Sequence, residues 1–153
     1  MRAIALSSLM LVAGCRDIAA RVFSAPTVRL ESVRVAALGL EGAAVEVGLS
    51  ILNPNHYSLT ARSGSYRLLA NGGVEVGHGA LTQSFMVPAG QRDTVQLPLT
   101  VSWNALGSAM QGAANTGVID YQVIGEVVAD TPIGERRIPL SAKGQFAPLR
   151  MIR

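Results

Sequence analysis

The sequence predicts an all-β sandwich of about seven strands, with one short helix between strands five and six. Three observations carry this. Apolar and polar residues alternate with period two over several segments, turn-forming residues punctuate them, and one segment only has apolar residues spaced by three and four. Turn signals at intervals of roughly 8–12 residues are those of a sandwich. The 153 residues suit one domain, long enough to bury a core without disulfides or metal.

Thr27 to Val35 reads as the first strand. In Ala43 to Leu52, Val45, Val47, Leu49 and Ile51 alternate with Glu46, Gly48 and Ser50, which predicts one buried and one wet face. Arg62 to Ala70 is the third strand. Asn71-Gly72 after it is a strong hairpin signal, because both residues accept positive φ. Val74 to Val87 returns as one long strand, and Gly77 and Gly79 inside it predict a bulge or bend. Val87-Pro88-Ala89-Gly90 is a turn. Val95, Leu97, Leu99 and Val101 then mark a fifth strand, in which Pro98 demands an edge or an outward nitrogen.

Trp103, Leu106, Met110 and Ala113 or Ala114 follow helical spacing. Ser102 or Asn104 can cap the start, and Asn115-Thr116-Gly117 stops the helix. Val118 to Ala129 and Glu135 to Phe146 supply the last two strands, the second with Ile138, Leu140 and Ala142 on one face. There is no internal repeat and no low-complexity tract.

Hydrophobic residues make up 49% of the chain and charged residues 15%, against roughly 25% charged in an ordinary soluble domain. The net charge is +3, and the arginines are scattered: Arg29, Arg34, Arg62, Arg67, Arg92, Arg136 and Arg137. Neither this nor the 5% aromatic content fits a nucleic-acid partner.

The single cysteine, Cys15, rules out a disulfide within the chain. Before it come Met1-Arg2, an apolar stretch from Ala3 to Leu11, and small residues. This is the order of a secretory leader, and it is shorter than the ~20 apolar residues that span a bilayer. Val12-Ala13-Gly14-Cys15 resembles the lipobox of bacterial lipoproteins, with Val12 where Leu is usual. The resemblance implies a cleaved leader over 1–14 and a diacylglycerol thioether on Cys15, with Val12, Ala13 and Gly14 read by the signal peptidase. Several acyl chains, at ~0.8 kcal/mol per buried CH₂, would hold the chain to a membrane where one would be marginal. In the resemblance to enterobacterial lipoproteins, Asp just after the cysteine retains the protein in the inner membrane; Arg16 stands there, which implies the outer membrane, facing the periplasm. Residues 15–26 then form a lipidated tether, 27–147 the domain and 148–153 a tail.

After the clearest strand comes Asn53-Pro54-Asn55. The residue before proline is held extended, proline fixes φ, and both asparagines can bond nearby backbone. That corner, the stretch Ser65 to Gly72, the Val87-Pro88-Ala89-Gly90 turn, the strand Thr94 to Val101 and the helix after it resemble the late embryogenesis abundant type 2 family. The same stretch defines its WHy (water stress and hypersensitive response) domain. The resemblance spans Val28 to Phe146. It implies a sandwich similar to fibronectin type III and the immunoglobulin fold, with Asn53, Pro54 and Asn55 as the signature corner. It also implies a part in desiccation and other stress tolerance, without catalysis.

No pattern of catalytic or metal-binding residues competes. The two histidines, His56 and His78, lack the spacing of zinc ligands and stand near no nucleophile elbow; both read as surface residues. Arg62-Ser63-Gly64-Ser65 lacks the core of a phosphate loop. Glu126 and Asp130 on one predicted strand read as a solvated face. The sequence therefore predicts a membrane-anchored, non-catalytic domain without cofactor or metal. It meets lipid through Cys15 and has client proteins or envelope components as partners. A partner subunit or an apolar-ligand (lipid) module is the second reading, and a hydrolase the third.

Overall fold

The computed structural model of the chain describes residues 23–113 and 117–146. The elements run β1 (Thr27–Leu38), β2 (Gly42–Leu52), β3 (Leu59–Ala70), β4 (Val74–Ala80), β5 (Phe85–Val87), β6 (Arg92–Ser102), α1 (Trp103–Ala113), β7 (Ile119–Thr131) and β8 (Gly134–Phe146). Every strand pair is antiparallel, in the order β1-β2-β6-β4-β3-β7-β8, with β5 beside β3.

The all-β class and the single short helix stand as the sequence predicts. The sandwich of two separate sheets does not. One hydrogen-bonded sheet curls into a half-barrel, because β4 pairs with β3 and also with β6 at Gly77 and His78. The helix does not lie between the fifth and sixth strands: it follows β6, the strand predicted as the fifth, because one predicted strand before it is two. Val74 to Val87 is two strands: beyond His78 nothing pairs with β6, the chain loops out after Ala80, and Phe85 to Val87 rejoins β3 opposite Leu59 to Ala61. The bulge predicted near Gly77 is present, since Leu68 pairs with Gly77 and Leu69 with Glu75, leaving Val76 as the extra residue.

Period two places the core. Val45, Val47, Leu49 and Ile51 of β2 face Leu97, Leu99 and Val101 of β6, Leu68 of β3, Val123 and Val127 of β7, and Leu140 of β8 inside one buried cluster. Each such side chain stabilises the fold by roughly 1.5–3 kcal/mol on burial. The opposite face of β2 is not wholly wet, as Gly48 and Ser50 are also buried. The Arg92 guanidinium donates to Ser50 Oγ at 3.0 Å, and Ser32 and Gln96 close over Gly48. The predicted hairpin turn is present with φ of 45° at Asn71, 79° at Gly72 and 140° at Gly73, a three-residue loop closed by Ala70 opposite Val74. Pro98 lies in the part of β6 that β4 does not pair, which tolerates its missing N–H.

Tyr66 is the largest fully buried side chain. Its neighbours across the sheet are Gly79 on β4 and Gly125 on β7. A Cβ at Gly79 would stand 2.5 Å from the ring, and one at Gly125 2.8 Å from the Tyr66 Cβ and 2.3 Å from the Ser65 carbonyl. The ring thus occupies the volume a side chain would take at Gly79, and the β3 backbone and the Tyr66 Cβ occupy it at Gly125. Its hydroxyl lies 2.9 Å from the Pro98 carbonyl and 3.1 Å from that of Ala80, tying β3 to β4 and β6 where the sheet turns.

Burial pushes the Tyr66 hydroxyl from 10.0 up to about 12, so the fold holds the neutral phenol. Its contribution is complete below the unfolded value of 10.0 and is lost as pH rises through about 12. Tyr66→Phe should cost about 1–2 kcal/mol at pH 8 in urea unfolding and flatten the loss of stability above pH 10. Gly125→Ala should cost more, about 1–3 kcal/mol or loss of folding, by overpacking.

Candidate functional site

The Asn53-Pro54-Asn55 corner lies where β2 ends. Pro54 is exposed, whereas Asn53 is 0% and Asn55 4% exposed. Two buried polar side chains in an apolar fold must find partners, and these do. Asn53 Nδ2 donates to the carbonyls of Tyr57 (2.8 Å), Val87 (3.1 Å) and Pro88 (3.2 Å). Asn53 Oδ1 accepts from Asn55 N at 3.0 Å and Asn55 Nδ2 at 2.9 Å. One carboxamide therefore joins the end of β2 to the β5–β6 turn. The backbone adds two ties, from Asn53 N to the Gln91 carbonyl and from Gly90 N to the Asn55 carbonyl.

Asn55 reaches the other way. Its Oδ1 accepts from Ser24 N at 2.7 Å, and its Nδ2 donates to the Ser24 carbonyl at 2.8 Å. An amide side chain pairs with the backbone here as a neighbouring strand would. Phe23 packs beside Leu59, Ala129 and Ile138. The last residues of the expected tether are thus fastened to the domain, and the chain enters β1 at the corner. An apolar slot of about 30 Å³, lined by Pro26, Val28, Ile51, Leu59, Phe85 and Ile138 among others, lies at this same end; it has room for little beyond a methylene group or two.

The corner's amides are engaged within the protein. The surface open to partners is at the other end of β2, about 36 Å away for 11 residues at ~3.3 Å each. There the β1–β2 turn presents Leu38 and Leu40, which are 75% and 102% exposed. The turn is braced: Gly39 N donates to Gly42 O at 2.8 Å, Trp103 N to Glu41 O at 3.1 Å, and the Trp103 indole N–H to Gly39 O at 2.9 Å. A groove of about 790 Å³ runs beneath it, lined by Ala37, Ala43, Val76, Val101 and Ala105, with Glu75 and His78 at its polar rim. Met110 on α1 adds another exposed apolar side chain. Inside α1, Ala109 is buried, and its carbonyl accepts from Asn71 Nδ2.

Cys15 and its flanking Val12, Ala13 and Gly14 lie outside the described residues. His56 and His78 are both exposed; His78 Nδ1 stands 3.8 Å from Glu75 Oε1. Glu126 pairs with Arg137 at 3.0 Å, and Asp130 pairs with Arg62. These carboxylates are held separately along β7. Arg62-Ser63-Gly64-Ser65 is part of β3 and not a loop. Among the described residues, no three of His, Cys, Asp and Glu stand together as a metal site, and no helix is long and apolar enough to cross a membrane. The braced tip escaped the sequence reading, although Leu38-Gly39-Leu40-Glu41-Gly42 carried a signal: two leucines in a glycine-rich turn have no strand face to hide on.

The fold is that of a curled, continuously paired antiparallel β protein with one short helix. A protein of Arabidopsis thaliana solved in solution shares it, with a TM-score of 0.67 and 21% identity over 90% of this chain and 93% of that one. A protein of Archaeoglobus fulgidus has a TM-score of 0.55 and 16% identity over 77% of this chain and 96% of that one. At these identities the likeness is one of fold. Among curated proteins none matches the sequence. The family model for late embryogenesis abundant protein matches residues 48–144, and the chain belongs to that family, type 2.

Asn53→Ala should cost about 3 kcal/mol or more, because it strands several buried carbonyls and N–H groups at once. Asn55→Ala should cost less, about 1–2 kcal/mol, and speed hydrogen exchange at Ser24 while leaving β2 protected. Urea unfolding and exchange mass spectrometry separate the two.

Proposed function

We infer that this late embryogenesis abundant type 2 domain is a lipid-anchored, non-catalytic protector of envelope proteins and other envelope components under desiccation or related stress. The observation that carries the reading is the braced apolar tip. Leu38, Leu40 and the apolar lining of the groove beside them form one contiguous exposed apolar surface, and such patches serve association. Trp103 holds the turn in place, so Leu38 and Leu40 meet a partner without first being ordered. A groove of about 790 Å³ beside them offers further apolar contact to an exposed segment of a client.

The anchor sets the orientation in this reading. Cys15 lies eight residues before Phe23, a reach of about 28 Å when extended. The chain enters the fold at the corner, so an acylated Cys15 holds that end toward the leaflet and turns the tip away from it. Outer-membrane placement, facing the periplasm, follows from Arg16. The second reading, a partner subunit or apolar-ligand module, draws on the same groove.

Two measurements test this. The intact mass of membrane-extracted protein should show loss of residues 1–14 and a lipid on Cys15, and Cys15→Ala should release the chain from membranes; an unmodified chain starting at Met1 would refute the anchor. Leu38→Gln with Leu40→Gln should leave Tm within a degree or two, since both side chains are already in water, while abolishing suppression of client aggregation on drying or heating. Protection equal to that of the unaltered chain would remove the tip from the mechanism. Tight binding of one purified envelope protein or lipid, without general protection, would favour the second reading.

A further inference from the structure

The groove below the braced turn crosses four strands in register. Ala37 of β1 stands opposite Ala44 of β2, Ala44 opposite Thr100 of β6, and Thr100 opposite His78 of β4. All four are exposed. Residues opposite one another across a sheet share a face, so these form one shelf, and its first three members are small. Three inter-strand steps of ~4.8 Å make it about 14 Å wide, the length of about four extended residues at ~3.3 Å each. The groove volume, about 790 Å³, falls in the range of ligand sites, roughly 300–1,000 Å³.

The charge around the shelf runs against that of the chain. The chain carries 13 Lys and Arg against 10 Asp and Glu. Among the described residues the groove is lined by two carboxylates and by neither Lys nor Arg. Glu41 lies in the β1–β2 turn and Glu75 on β4, so they stand at opposite ends of the shelf, with β6 between their strands. Glu75 is 3.4 Å from Arg67 and 3.8 Å from His78, exposed contacts of small energy. Glu41 is exposed, and among the described residues its side chain makes no hydrogen bond or ion pair. A partner that covers the shelf takes water from both carboxylates, which is costly unless the partner brings positive charge. A purely apolar partner leaves them unpaired, and an acidic one adds repulsion.

We propose that the groove takes an extended segment of a client protein, about four or five residues long, with bulky apolar side chains in the middle and Lys or Arg at either end. The apolar side chains fill the space that Ala37, Ala44 and Thr100 leave, and the basic ends meet Glu41 and Glu75. This rests on the protective reading above and narrows it: clients are selected by charge as well as by exposed apolar surface.

Trp103 supplies the signal for the test. It is the chain's only tryptophan, 37% exposed, and it is bonded to Gly39 in the groove wall. The full chain in phosphatidylcholine vesicles is titrated with acetyl-Lys-Leu-Ile-Leu-Lys-amide and with the same peptide carrying Gln or Glu at both ends. The Lys peptide should bind most tightly, and the Glu peptide about five- to tenfold more weakly, from two exposed charge pairs reversed. At about 1 M salt, where the Debye length is ~3 Å, the difference should largely vanish. Glu41→Lys with Glu75→Lys should invert the order. Equal affinities, or no saturable Trp103 response, would overturn the proposal on the unaltered chain alone, even where the charge swap fails to fold. An order that survives the swap would overturn it too. So would Trp103 quenching by brominated lipid tails without peptide, which gives the tip to the leaflet, or a Trp103 signal that shifts with chain density alone, which gives it to a second copy. Charge preference together with full protection by the Leu38→Gln, Leu40→Gln variant would keep the site and sink the protective reading; lost protection without charge preference would do the reverse.

Discussion

The Asn53 carboxamide is the point on which the lower half of the molecule depends. It sits wholly out of water and makes five hydrogen bonds with the strand end, the Tyr57 loop and the β5–β6 turn. A buried amide is costly when unpaired and specific when satisfied. It holds the turn beside the end of β2, and that position lets β6 return along the whole of β2, from Leu52 opposite Arg92 to Gly42 opposite Ser102. Through Asn55 the same network fixes Ser24, and with it the place where β1 begins. A short polar motif thereby sets three chain crossings that no hydrophobic contact would have fixed in register.

The upper half obeys a different constraint. A sheet that must fold over one core needs a place where its layers come close, and Tyr66 occupies that place. Gly79 leaves the ring its space, Gly125 lets β7 approach the β3 backbone beside it, and the hydroxyl meets backbone carbonyls of β4 and β6. The result is continuous pairing around the bend, where two separate sheets would have left two more edges exposed. What remains open is the distal half of β1, where Val33 and Val35 stay 45% and 56% exposed although they face the core side.

This division gives the protein two ends of different character. The corner end receives the N-terminal segment and has its polar groups engaged. The tip end shows apolar side chains on a braced turn over a groove. Along the strands Asp130 pairs with Arg62, Glu126 with Arg137 and Asp120 with the Gln145 amide, while Glu75 stands beside both Arg67 and His78.

The strands were legible in the sequence because each reports its own burial. Val45 to Ile51 and Ile138 to Ala142 alternate with period two, and no distant residue is needed to read them. Asn71-Gly72 and the spacing from Trp103 to Ala113 were equally local, as was the turning propensity of Asn53-Pro54-Asn55. The pairing of β4 with β6, the break at Leu81 to Ser84, the space that Gly79 and Gly125 leave for Tyr66, and the bond of Asn55 to Ser24 were not. Each joins residues far apart in the chain. Alternation tells a strand which face is wet, but not which neighbour it will have; only the folded sheet, by matching edges, volumes and buried hydrogen bonds together, decides that.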